Sequence, residues 1–256
     1  MLTQNYDRVE LIVVDDHSMD SSVSRIQKAV SGVPGTKVII SDANRGNCKA
    51  FNEGFRNSKG DFIIDLSADD VLLPNRIAKG VDSFGAHDSK TGVNFTDAQL
   101  IDEEGKLLGF HSDRFPHATI PQGDIYRDVL SRYFINSPTM MIRRDVLERL
   151  GGYDEALAYE DFDFWVRSSR EFHYSYTPEP LIKRRIVKYS LGSHQFRRGS
   201  LQLQSTFKVC EKAVLLNRTT EEKIALKKRV RYEIGQALKL GELRLASRYL
   251  MLYGGI

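Results

Sequence analysis

The chain has 256 residues, 41% hydrophobic and 28% charged, proportions of an ordinary globular protein with room for one domain and an appendage or for two small domains. No apolar run approaches the roughly 20 residues that span a bilayer, and Cys48 and Cys210 cannot build a disulfide framework. The formal net charge of +3 conceals an asymmetry: from Leu181 onward there are 17 Lys and Arg against 5 Asp and Glu, whereas the first 180 residues hold 20 against 29.

The stretch MLTQNYDRVELIVVDD has no basic flank ahead of an apolar segment, so no secretory leader is expected. Read as reduced thiols, the two cysteines imply a cytoplasmic protein. An acidic front half suits a site that holds a metal and reacting hydroxyls. A basic tail suits an anionic partner or a membrane surface, with no nucleic acid expected.

In chain order, residues 9–14 (VELIVV) form an apolar, β-branched run that predicts a strand buried on both faces of a parallel sheet. It ends in Asp15-Asp16, and a helical pattern opens after Asp20. Residues 37–40 predict a second strand, 44–57 a helix and 61–66 (DFIIDL) a third strand, with Pro74 suited to the first turn of the next helix. This alternation predicts an α/β sheet. Residues 92–101 and 106–110 flank Asp102-Glu103-Glu104-Gly105, a hairpin signal. Further on, the pattern predicts a helix near 123–132, a strand near 139–142, a helix over 145–150 stopped by Gly151-Gly152, a helix over 160–170 and strand character within 174–187. From about His194 onward, apolar residues recur at helical spacing, with breaks at 217–220 and at Gly241.

Four stretches carry chemistry. Asp15 and Asp16 stand where a parallel strand ends, the edge at which α/β sheets bind ligands, although an Asp there also serves as a helix cap. In NRGNCKAFNEG, Gly46 permits close backbone approach while Asn44 and Asn52 offer neutral donors and acceptors; a capped surface helix has the same composition. In LSADD, Asp69 and Asp70 repel one another unless water screens them or a cation sits between them, and hard oxygen ligands suit Mg²⁺ or Mn²⁺. In GGYDEALAYEDFDFWVR, Asp161 opens a helix beside aromatics, where desolvation prepares a general base; it would also balance the helix dipole. The basic runs at 183–185 and 197–198 read as solvated faces, or else as groups that approach donor phosphates or an anionic acceptor. His111 and His117 lack zinc-site spacing.

Together, in this order, the stretches resemble the family-two glycosyltransferases over residues 6–189. VVDDHSMD resembles the family's strand-end motif, NRGNCKAFNEGF its Asn- and Gly-bearing helix, LSADD its Asp-x-Asp region with Ser67 in place of the first carboxylate, and GGYDEALAYEDFDFWVR its acceptor-side signature. The resemblance implies a GT-A, Rossmann-like α/β fold: a mixed sheet flanked by helices over residues 1–190, and a basic helical region over 191–256. It implies an inverting transfer from a nucleotide sugar, a UDP-sugar foremost, to a hydroxyl of a glycan, polysaccharide or lipid-linked acceptor in cell-envelope synthesis. Asp16, with Asp15, Asn44, Gly46 and Asn52 around it, would contact the donor, with Asp69 near the donor sugar; Asp70, with Asp69, would hold a divalent cation (Mn or Mg), and Asp161 would deprotonate the acceptor hydroxyl. It further implies that the family's opening strand is missing, so the sheet would lack a central strand. Two other readings stand beside it. A non-catalytic scaffold would follow from that missing strand. A receiver-type signalling domain would need its phosphorylated Asp at Asp65 and a Lys-Pro pair, and no Lys-Pro dipeptide occurs.

Overall fold

The computed structural model describes residues 3–116, 119–188 and 197–256. Strand β1 (Leu11–Asp15), helix α1 (Ser22–Val30) and strand β2 (Thr36–Ile40) form a βαβ unit whose two strands pair in parallel, Val13 opposite Val38. Helix α2 (Asn47–Arg56) lies on β1: the Cα of its Gly54 comes so near that an added Cβ would sit 3.1 Å from a Val14 methyl. β1 departs from the expected double burial. Leu11 to Val14 are half-buried, because among the described residues the strand has one hydrogen-bonded neighbour and keeps its other edge open.

The second sheet has six strands. Strands β3 (Phe62–Ile63), β4 (Val71–Leu72), β5 (Thr91–Ile101), β6 (Leu107–Phe110), β7 (Met141–Arg143) and β8 (His173–Arg185) run in the order β3-β7-β5-β8-β4, with β6 on β5. β5 and β8 are parallel and the other pairs antiparallel, so the sheet is mixed, not parallel. The predicted strand over 61–66 pairs for two residues only, and the chain beyond Ile63 leaves the ladder carrying Asp65. Between the two sheets, Glu10 makes the bridge: its carboxylate accepts from the backbone N–H groups of Lys59 and Gly60, the latter at 2.6 Å.

Helix α3 (Arg76–Ala86) packs on β5, and helices α4 (Tyr126–Ser131), α5 (Arg144–Leu150) and α6 (Asp161–Ser169) complete the flanking layer. α5 stops where Gly151 turns left-handed at φ 71°. α6 is buried nearly all round, with Phe162, Phe164, Trp165 and Val166 joined by the buried polar Asp163, Ser168 and Ser169, as suits a helix between a sheet and a second helical layer. That layer is helices α7 (Leu201–Leu216), α8 (Thr220–Lys239) and α9 (Leu243–Gly255), matching the breaks read at 217–220 and Gly241. A capping box opens α8, Thr219 Oγ1 accepting from Glu222 N at 3.2 Å while Glu222 accepts from Thr219 N. Glu222 also holds Arg170 at 2.7 Å, tying α8 to the end of α6. The main apolar core runs from Val93 and Phe95 of β5 through Phe162 and Val166 to Phe207, Val230 and Tyr249, and a smaller cluster gathers Ile77, Phe84 and Met141. The expected domain boundary at 190, together with His117 and His194, lies outside the described residues.

Candidate active site

Asp15 ends β1 almost fully buried, and its Oδ1 accepts from Ser18 N at 2.8 Å. The hydrogen bonds from Ser18 hold its pKa below the ordinary carboxylate value. This bond closes a turn in which His17 takes φ 69°, a conformation a non-glycine residue adopts only when its surroundings enforce it. Asp16 reaches across to the next motif: its Oδ1 accepts from Arg45 N at 2.9 Å and its Oδ2 from Gly46 N at 2.7 Å. Gly46 caps α2 at φ 90°, which explains the glycine. The first two motifs are thus one structure, each carboxylate oxygen of Asp16 keeping a lone pair for a ligand. Asn44 is exposed beside it.

Asn52 lies elsewhere. It is 5% exposed, its Nδ2 donates to Tyr153 O and Glu155 Oε1, and its Oδ1 accepts from Tyr153 N at 2.9 Å. Its amide clamps α2 to the turn after Gly152, with donors and acceptor engaged by protein. Gly152 sits at φ 79° directly against Asn52 Oδ1, where a Cβ would collide.

The adjacent carboxylates of the third motif differ from each other. Asp69 is exposed; Asp70 is half-buried, and its Oδ1 accepts from Arg185 N at 2.8 Å. Burial first, then the charge of Asp69, raises the pKa of Asp70, while Arg184 and Arg185 oppose the rise. Arg185 also donates from Nε to Asp69 O and from Nη1 to the carbonyls of Asp102 and Glu103, so this member of the basic run pins the acidic loop to the β5–β6 turn. Arg197 and Arg198 are solvated, as the simpler reading had it. The residues fit a hard divalent cation in a restricted sense: Asp69 and the free Oδ2 of Asp70 offer two carboxylate ligands, and a Mg²⁺ or Mn²⁺ held so would complete its shell with water and substrate phosphate oxygens. Among the described residues no group of three or more acidic, His or Cys side chains forms a cage.

Asp161 opens α6 in a different setting. Its Oδ1 is buried without a partner, and Ser137, in the short 3₁₀ turn Ser137–Thr139 ahead of β7, hydrogen-bonds the carboxylate. Burial raises its pKa, opposed by Ser137 and by the charge of Arg184. Glu160 precedes it, accepting from Asn47 Nδ2 at 2.8 Å, and burial followed by the charges of Asp161 and Asp65 pushes its pKa well up. Asp65, hydrogen-bonded by Tyr153, completes the cluster, its pKa pushed up to about 6 by burial and by Asp161. Cys48 packs 4.0 Å from Glu160 Oε2, its thiol pushed up to about 12 by burial and that neighbour, so it stays neutral. The charge of Arg184, on β8, opposes the rise at both Asp70 and Asp161.

Asp65, Ser137, Asn47 and Arg184 are not among the glycosyl-transfer residues that the sequence resemblance implies. Asp65 had a signal, a carboxylate inside an otherwise apolar run, DFIIDL. Asn47 falls within the NRGNCKAFNEG stretch and Arg184 within the basic run at 183–185, but what they face is decided by the packing of α2 and β8; Ser137, in the turn ahead of β7, has no local pattern to mark it. Asp163, two residues beyond Asp161, is 1% exposed and fully paired, with Arg167 at 2.6 Å and Lys212 of α7 at 2.5 Å. A surface concavity between α4 and α8, lined by Arg127, Asp128, Glu221 and Lys228, is remote from these carboxylates.

A mixed sheet flanked by helices, with an Asp pair after β3 and a recessed carboxylate at the start of α6, defines a GT-A glycosyltransferase fold. A family model described as Glycosyl transferase family 2 matches residues 1–151, and the chain belongs to that family. It is 29% identical over 189 residues to an uncharacterized glycosyltransferase of Rickettsia typhi, covering 72% of this chain and 57% of that one. It is 25% identical over 199 residues to one of Haemophilus influenzae, covering 77% and 75%. The chain spans 57% of the length of the first relative and 30% of that of a Rickettsia felis glycosyltransferase. Among solved structures, S. aureus TarS 1–349 in complex with UDP-GlcNAc superposes with a TM-score of 0.70 at 15% identity, covering 98% of this chain and 74% of that one. The mannosyltransferase PcManGT of Pyrobaculum calidifontis, in complex with GDP-Man and Mn²⁺, does so with a TM-score of 0.63 at 16% identity, covering 99% and 73%. These two likenesses concern the fold.

Proposed function

We propose that the chain carries the donor-binding and catalytic part of an inverting glycosyltransferase that moves a sugar from a nucleotide sugar, a UDP-sugar foremost, to a hydroxyl of a glycan or lipid-linked acceptor. The observation that carries this reading is the desolvated, unpartnered Oδ1 of Asp161 within reach of the charge that also acts on Asp70. An acceptor hydroxyl is a poor nucleophile, and Asp161 takes its proton as the oxygen attacks the anomeric carbon. Ser137 and Arg184 favour the ionised carboxylate, and Phe162 and Trp165 behind it exclude water. On the leaving-group side, Asp69 and Asp70 would hold a divalent cation, which would supply positive charge to neutralise the diphosphate. Asp16 and the Gly46 turn, with Asp15 behind and Asn44 beside them, meet the nucleoside, and Asn52 supports that surface from within. Binding partners of related chains, UDP-GlcNAc and GDP-Man, support a nucleotide-sugar donor. The basic surplus of the C-terminal region supports peripheral contact with an anionic membrane at its cytoplasmic face.

A donor screen by thermal denaturation tests the reading. UDP-sugars and GDP-sugars are added with and without Mn²⁺, and binding to the folded state raises the melting temperature. A rise that needs both a nucleotide sugar and Mn²⁺ is expected. No rise with any donor would leave the non-catalytic scaffold in its place.

A further inference from the structure

The last helix presents a surface that packing does not explain. On α9, Leu245, Ala246 and Tyr249 face the core, while Leu243, Leu250 and Met251 are 69%, 56% and 69% exposed. At 100° per residue these three fall on one outward stripe, with Ser247 and Gly254 between them. Arg244 and Arg248 lie along one flank of the stripe, and no acidic residue occurs from Leu243 to Ile256. Leu201, 73% exposed at the start of α7, extends the apolar surface: Gly199 N donates to Glu242 Oε1 at 2.7 Å, which holds the α7 entry beside the α9 entry. Arg248 is held in place, its guanidinium 4.0 Å above the Phe207 ring and donating to Gln204.

We propose that this face of α9 lies flat on an anionic lipid bilayer, with Leu243, Leu250 and Met251 at the acyl boundary and Arg244 and Arg248 among the headgroups. The proposal rests on the reading of the basic region as a membrane contact and names the surface that makes it. An apolar stripe flanked by arginines is the make-up of a helix that lies in the membrane interface. No helix of the described residues is long and apolar enough to cross the bilayer instead. A second copy of the chain fits the face poorly. A stripe of three or four side chains falls short of the roughly 800 Å² per partner that a stable pair buries, and self-pairing would bring a surface that bears arginine and no acid against its own likeness.

The test is co-sedimentation of the full chain with vesicles of phosphatidylcholine alone and of phosphatidylcholine with phosphatidylglycerol. The wild type is expected to bind the anionic vesicles, to release them at high salt and to leave the neutral ones unbound. L250D/M251D is expected to weaken binding at least about tenfold and R244E at least about fivefold, with circular dichroism unchanged because these side chains touch solvent. Absence of binding by the wild type, or equal binding to neutral vesicles, overturns both the membrane reading and the face. Anionic binding that the variants keep overturns the face alone. Self-association of the wild type without vesicles, abolished in L250D/M251D, assigns the face to a second copy and overturns the proposal.

Discussion

Residues 69–70 and residues 160–161 are both adjacent carboxylates, and the chain treats them in opposite ways. Asp69 stands in water and Asp70 is half-buried against the backbone of Arg185, an open arrangement that accommodates a cation and a charged ligand. Glu160 and Asp161 sit in a recess with Asp65, where burial raises all three pKa values and the charge of Asp161 adds to the rise at Glu160 and Asp65. A carboxylate that must hold charge needs exposure or a counter-ion; one that must take up a proton gains from losing its water. Asp163 is the control within the same helix: more fully removed from water than Asp161, it is neutralised by Arg167 and Lys212 and has nothing left to react with.

The contrast breaks first at Asp161. Asp161→Asn keeps the shape and removes the proton acceptor, so kcat should fall about 10²–10⁴-fold while the donor Kd stays unchanged. Transfer rates and donor titrations on one preparation measure both; wild-type turnover in the mutant would move the base to Glu160. Asp70→Ala should act on the other side, weakening Mn²⁺-dependent binding of a nucleoside diphosphate at least about tenfold, since one of two carboxylate ligands is lost. Titration calorimetry with and without Mn²⁺ reads it, and equal affinities would dismiss the assignment.

The recess itself is sharpened by Asp65→Asn. The folded pKa of Asp65, about 6, lies above its ordinary value of 3.8, so the native state holds the extra proton and loses stability as pH rises from about 4 to about 6. Asparagine keeps an acceptor for Tyr153 and removes the charge. The mutant should therefore be more stable than the wild type by about 1–2 kcal/mol at pH 7, the advantage fading as pH falls below 6. Denaturant titrations at pH 7.5 and 4.5 check it; a mutant less stable at neutral pH would mean that the charge is compensated in the fold. The smallest effect belongs to Ser137→Ala. Its hydroxyl favours ionised Asp161, so its loss should move the acid limb of the kcat profile to higher pH with little change at the plateau.

Much of this was legible before any coordinates, because it is written in local patterns. The β-branched run of β1, the Gly-stopped α5, the hairpin turn before β6 and the break before α8 each depend on residues within a few positions of one another. The acidic motifs and Asp161 were visible for the same reason. What tertiary structure alone decided is which of them meet and what surrounds them. It joined Asp16 to the Gly46 turn, took up the amide of Asn52 in a clamp on Tyr153 and bent Asp65 off its strand toward Asp161. It set β3 beside β7 and β5 beside β8 and left β1 half-open. A carboxylate's charge state depends on desolvation and on neighbours supplied by other elements. The sequence by itself therefore named the reactive groups, and the packing of α2, α6, β7 and β8 decided which of them stay charged and which are held ready for a proton.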